Sequence, residues 1–160
     1  MKTLWLMRHG EAMHAQPGSK DYERVLTLVG EAQAKKIGQR LHQKQVTFDR
    51  ILASHAQRAV LTTTLVTRAL FLPSDVINLE PRIYNASVDT LEALIAEQAD
   101  SINTLFICGH NPGISVLASI LASDDFLDFA PATLCQIELA IDSWSKLKNK
   151  CGKIITLEVP

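Results

Sequence analysis

Apolar residues along this chain come in short dense blocks separated by polar stretches. Leu4, Trp5, Leu6 and Met7 form the first block. The pattern is that of a strand covered on both faces, which periodicity alone does not distinguish from a buried helical turn. A polar stretch with Gly and Pro follows, HAQPGSKDYER, and reads as a long loop. Thr27 is placed to cap a helix running to residue 43, because Ala34, Ile37, Gly38 and Leu41 repeat at i, i+3, i+4, i+7. Glu31 falls in its first turns, where the helix dipole favours an anion. RILAS at 50–54 predicts a second buried strand, with a helix after it to residue 70 and Pro73 beyond its end.

VINLE at 76–80 predicts a third strand, followed by an irregular stretch and a helix over 90–98 with Asp89 as its cap. TLFICG predicts a fourth strand ending at His110, and Pro112 suits the first turn of a helix in which Ile114, Leu117, Ala118 and Leu121 share a face. The tail departs from this alternation. LCQIELA and IITLEV are strand candidates without a helix between them, and they predict an antiparallel pair. The whole reads as α/β: a three-layer α/β/α sandwich around a mostly parallel, mixed sheet, with residues 1–160 as one domain.

The bulk numbers narrow the function classes. With 160 residues, 47% hydrophobic, 21% charged and a net charge of -1, the chain has the balance of a soluble globular protein. It advertises no nucleic-acid or membrane surface. No apolar run reaches the length of a membrane span and no signal-peptide pattern opens the chain, so a cytoplasmic protein is expected. A monomer is expected as well, although no exposed heptad or self-complementary element speaks to the oligomeric state. Cys108, Cys135 and Cys151 are odd in number and widely spaced, which predicts buried thiols in a reducing compartment. His14, His42, His55 and His110 lack the spacing of a zinc site, and no metal or other cofactor is expected. His42, near a helix end, reads as a surface residue, and His14 is assigned no role.

Polar residues at the strand ends carry the candidate chemistry. The first strand delivers Arg8 and His9 before Gly10, the second leads into Arg58, and the fourth delivers His110. In a mostly parallel sheet these ends lie side by side at the edge where ligands bind. Two guanidiniums and two imidazoles converging there suit a phosphoryl group, because Arg presents paired planar donors and imidazole adds charge-assisted bonds. The helices after the second and fourth strands add favourable amino-terminal dipole ends.

The string Leu6-Met7-Arg8-His9-Gly10-Glu11 resembles the signature of the histidine phosphatase superfamily, the phosphoglycerate mutase-like proteins. Leu26-Thr27 with Gly30 and Gln33, then Ser54 with Arg58-Ala59 and Thr62, then Cys108-Gly109-His110-Asn111-Pro112, resemble three further segments in the same order. The resemblance covers residues 2–122 well and the last strands weakly. Ile83-Tyr84-Asn85-Ala86-Ser87-Val88-Asp89 resembles a stretch of the short SixA-type phosphohistidine phosphatases. It implies that His9 is the nucleophile and becomes a phosphohistidine intermediate. Arg8, Arg58 and His110 would then hold the phosphoryl oxygens without a metal. The implied partner is a phosphohistidine-bearing protein such as a phosphotransfer domain.

The departures from the family pattern are informative. Many relatives carry a glutamate after the third strand as general acid for an alkoxide leaving group, and residues 81–85 hold none. A phosphohistidine imidazole leaves as a neutral molecule once its second nitrogen is protonated, so the missing acid favours phosphorus-nitrogen cleavage. Glu80 is the nearest substitute acid, with a solvated strand-end role favoured for it. His55 stands where the family has proline, and Leu61 where it has glutamine. His55 reads as a rim residue, either touching a substrate or capping its loop. The stretch DDFLDFAP at 124–131 is expected to cover the sheet with Phe126 and Phe129, with Trp144 packing similarly. Two rival functions remain: a small-molecule phosphomonoesterase on the same site, and a phosphoprotein-binding module without turnover.

Overall fold

Side chains of the apolar strand blocks divide between two faces, as a doubly covered sheet requires. In a computed structural model, which describes residues 1–122 and 125–160, β1 (Lys2–Arg8) sends Leu4 and Leu6 into one core, and Trp5 and Met7 into the other. The sheet is completed by β2 (Arg50–Ala53), β3 (Ile77–Leu79), β4 (Thr104–Gly109), β5 (Leu134–Leu139) and β6 (Gly152–Glu158). Their spatial order is β3-β2-β4-β1-β5-β6. The pairs β1–β4, β2–β4 and β2–β3 are parallel, while β1–β5 and β5–β6 are antiparallel. The expected mixed sheet is thus observed, including the antiparallel pair at the tail.

Helices α1 (Leu28–Gln43) and α2 (Gln57–Ala69) pack on each other. With Trp5, Met7, Phe106 and Cys108 they bury Ile37, Leu41, Ala59 and Val66. Helices α3 (Val88–Ala96) and α4 (Gly113–Ala122) cover the opposite face. There Leu91, Leu94, Ile95, Ile114 and Leu117 meet Leu4, Leu6, Leu105 and Ile107. Among the described residues, no helix is long and apolar enough to cross a membrane.

Thr27 caps α1 as expected, accepting the Gly30 N–H. The cap of α3 is Ser87, not Asp89: the Ser87 hydroxyl accepts the Thr90 N–H at 3.2 Å. Asp89 instead lies in the first turn, where its charge suits the helix dipole, and the helix begins two residues earlier than the apolar pattern suggests. Pro112 precedes α4 instead of lying within its first turn, its carbonyl accepting the Val116 N–H. Strand β3 is shorter than its apolar block. Phe129 is buried as expected, but Phe126 is 69% exposed, so only one of the two phenylalanines covers the sheet; Asp124 of that stretch lies outside the described residues. Trp144 is buried, and its indole N–H donates to the Ile102 carbonyl. All three cysteines are buried and free.

Candidate active site

The register of the parallel strands assembles the site. Arg8 pairs with Gly109 across β1 and β4, so the next residues, His9 and His110, emerge side by side, with ring centroids 5.3 Å apart. Ala53 pairs with Cys108 across β2 and β4, which puts Ser54 beside the same edge. Arg58, in the first turn of α2, is 4% exposed and reaches both histidines. Its Nε–H donates to His9 Nε2 at 3.3 Å, and its NH2 group lies 3.3 Å from His110 Nδ1. The structure therefore brings His9, Arg58 and His110 into contact, and Arg8 lies near enough for its charge to act on His9.

Hydrogen bonds settle the protons on both rings. His9 Nδ1 lies 2.7 Å from the Gly10 carbonyl. A carbonyl can only accept, so Nδ1 carries the hydrogen and the Nε2 lone pair faces Arg58. His110 Nδ1 faces the Arg58 donor and accepts from it, so its Nε2–H donates to Ser54 Oγ at 2.8 Å. Burial pushes the His9 pKa down to about 4, and the Arg58 and Arg8 charges push the same way, against the opposing pull of the Gly10 carbonyl. Burial, then His9 and Arg58, push His110 down to about 3. Both imidazoles are neutral at pH 7.

The strand ends are fixed from behind. The Gly10 N–H donates to Thr62 Oγ1, whose hydroxyl donates to the Arg58 carbonyl, tying the loop after His9 to α2. Gln33 accepts the Glu11 N–H, and Thr27 donates to the Glu11 carboxylate. Gly10 and Gly30 allow this approach: a Cβ on Gly10 would come 2.7 Å from the Gly30 oxygen, and one on Gly30 would come 2.1 Å from the Glu11 oxygen. Arg8 NH1 donates to the Phe129 carbonyl at 2.7 Å, while its buried Nε has no partner among the described residues. This orphan N–H is a donor ready for an anion.

Glu80 is engaged elsewhere. It caps the short turn at Pro81–Ile83, and both its oxygens accept from Arg82. The Arg82 bonds hold its pKa below the usual carboxylate range. The His55 ring lies 5.3 Å from Tyr84 and 5.9 Å from Tyr22, and its buried Nδ1 has no partner among the described residues.

Asp21 is the residue that sequence reasoning missed. Its carboxylate accepts from Arg58 NH2 at 3.0 Å, from Arg24 at 3.1 Å and from the Tyr84 hydroxyl, and its carbonyl accepts from Arg58 NH1. The Tyr84 bond, with those to Arg24 and Arg58, holds the carboxyl well below its usual range. It comes from the loop between β1 and α1, where no periodicity or spacing marks one polar residue above another. Tyr84 and Ser54 lay within recognisable segments, yet only the fold shows their partners.

This arrangement can be compared with known proteins. Residues 4–107 match the histidine phosphatase superfamily (branch 1). An uncharacterized protein of Mycobacterium tuberculosis is 27% identical over 163 residues, covering 96% of this chain and 99% of its own. The structure of a candidate phosphohistidine phosphatase SixA from Agrobacterium tumefaciens superposes with a TM-score of 0.84 at 25% identity, over 99% of this chain and 98% of that one. A protein histidine phosphatase SixA solved with tungstate gives a TM-score of 0.83 at 22% identity, over 99% and 97% of the two chains.

Proposed function

The chain belongs to the histidine phosphatase superfamily, branch 1, and from that premise we propose that it is a cofactor-independent phosphohistidine phosphatase with His9 as nucleophile. The observation that carries this reading is the His9 tautomer. With Nδ1–H held by the Gly10 carbonyl, Nε2 offers a lone pair on a neutral ring beside a buried guanidinium. In the first step Nε2 bonds to phosphorus, and the phosphorus-nitrogen bond of the substrate breaks with its electron pair going to the leaving imidazole. The second nitrogen of that imidazole already carries a proton, so it departs neutral. Water then attacks phospho-His9, and Nε2 recovers its lone pair as phosphate leaves.

Arg8 and Arg58 neutralise the phosphoryl charge, the first through an Nε–H that has no partner among the described residues. An arriving dianion raises the proton affinity of His110 Nδ1, which then becomes a further donor. Two features favour nitrogen over alkoxide leaving groups. Residues 81–85 carry no carboxyl group, and Glu80 is ion-paired with Arg82. The resemblance to a candidate phosphohistidine phosphatase supports the same substrate class, and the partner we infer is a protein bearing phosphohistidine.

The test is a panel of phosphohistidine protein, sugar phosphates and an aryl phosphate, with His9→Ala alongside. Phosphohistidine should be the best substrate, and the variant should lose more than ~10³-fold in turnover, as expected on removing a nucleophile. A preference for sugar phosphates by orders of magnitude would mark a phosphomonoesterase instead, and undiminished turnover by His9→Ala would remove the nucleophile assignment.

A further inference from the structure

A carboxylate on the guanidinium of a phosphate site repels the substrate's own charge, and Asp21 is such a carboxylate. Arg58 lies between it and the nucleophile, with Nε on His9 Nε2 and NH2 on Asp21 Oδ2. The Arg58 side chain is 5% exposed and that of Asp21 is 47% exposed, so Asp21 stands on the solvent side, where a substrate approaches. The Arg58 guanidinium thus has His9 on one nitrogen and Asp21 on another. In-line displacement sends the leaving group away from His9, toward Asp21.

The surroundings suit a flat ring. Tyr84 stands edge-on to His110 with centroids 5.4 Å apart, and it meets His55 at 5.3 Å and Tyr22 at 6.5 Å. His55 adds its buried Nδ1, which has no partner among the described residues. These rings give a leaving imidazole faces to pack on, while the Tyr84 hydroxyl and Arg24 keep the carboxylate of Asp21 in place.

Resting on the phosphohistidine reading, we propose that Asp21 selects the leaving group: its carboxylate accepts the N–H of the protonated imidazole of a phosphohistidine and disfavours leaving groups that depart as anions. The bonds formed and broken are those of the first step above. Asp21 adds no proton. It stabilises the one already on the distal ring nitrogen, which keeps the imidazole able to leave neutral. A phenolate or alkoxide, which builds negative charge as it departs, meets repulsion at the same point. Asp21 does not act as an acid, because the donors around it hold it ionised at neutral pH.

The experiment compares kcat/KM for Nε2-phosphohistidine and for p-nitrophenyl phosphate in the wild type, Asp21→Asn and Tyr84→Phe. The ratio of the two should fall about 10- to 100-fold in Asp21→Asn, the range of a hydrogen bond to a charged group. It should fall less, in the same direction, in Tyr84→Phe, which also serves if Asp21→Asn does not fold. Equal losses on both substrates would mean that Asp21 only steadies Arg58, and unchanged kcat/KM on both would mean that it takes no part in the reaction; either overturns the proposal while the phosphohistidine reading stands. A wild type without preference for phosphohistidine would overturn both.

Discussion

His9 and His110 are neutral because the fold removes them from water beside two guanidiniums, and that has a cost that depends on pH. In the unfolded chain each imidazole takes a proton near ~6.5. In the folded protein they resist protonation down to about 4 and about 3. The unfolded state therefore binds more protons below ~6.5, and stability declines as pH falls from there toward 4. The urea midpoint should drop between pH 7 and pH 5. In NMR titrations the ring signals of His9 and His110 should stay at their neutral positions from pH 8 to 5.5. A midpoint near 6.5 for His9 would show that its lone pair is contested by protons at working pH, and would weaken its assignment as a ready nucleophile.

At the scale of elements, α1 presses its first turns onto the loop that follows His9. Gly30→Ala tests this contact, since the added Cβ would sit 2.1 Å from the Glu11 backbone oxygen. A backbone cannot rotate aside as a flexible side chain does. The substitution should cost at least ~1–3 kcal/mol and should also lower activity, because Glu11 follows directly on His9 and Gly10. Denaturant unfolding and turnover measured together check both halves. A stable variant with full activity would show that the loop yields without disturbing His9. The helix capped by Thr27 was legible in the sequence because its apolar face repeats four times and its cap is local. The cap of α3 was not, since Ser87 and Asp89 are both good capping residues and only the backbone decides between them. The approach of His9 and His110 was legible because each lies just beyond the end of a parallel strand, and strand register is a property of the sheet; Arg58 joins them from the first turn of the helix that follows β2. Asp21 hangs on a loop whose path depends on Arg58 and Tyr84, two residues remote in sequence, and nothing local encodes that.

The molecule as a whole completes its candidate site with a stretch of chain that lies beyond the matched region. The matched region ends at residue 107, yet Arg8 is anchored by the Phe129 carbonyl, and the same oxygen receives the Asn111 side chain at 3.0 Å. The chain then returns to β1, where the His9 carbonyl accepts the Ala132 N–H and the Thr133 carbonyl accepts the Arg8 N–H. Phe129 is 1% exposed and packs in the core beneath α3 and α4, so that core sets where its carbonyl stands. Phe129→Ala should destabilise the protein by about 3–5 kcal/mol. At temperatures where the variant stays folded, it should bind phosphoryl substrates more weakly, because the segment that aims Arg8 loses its anchor. Unfolding by urea and KM with a phosphohistidine substrate are the measurements. A large loss of stability with an unchanged KM would mean that β1 alone orients Arg8, and that the antiparallel half of the sheet contributes stability but no alignment to the site.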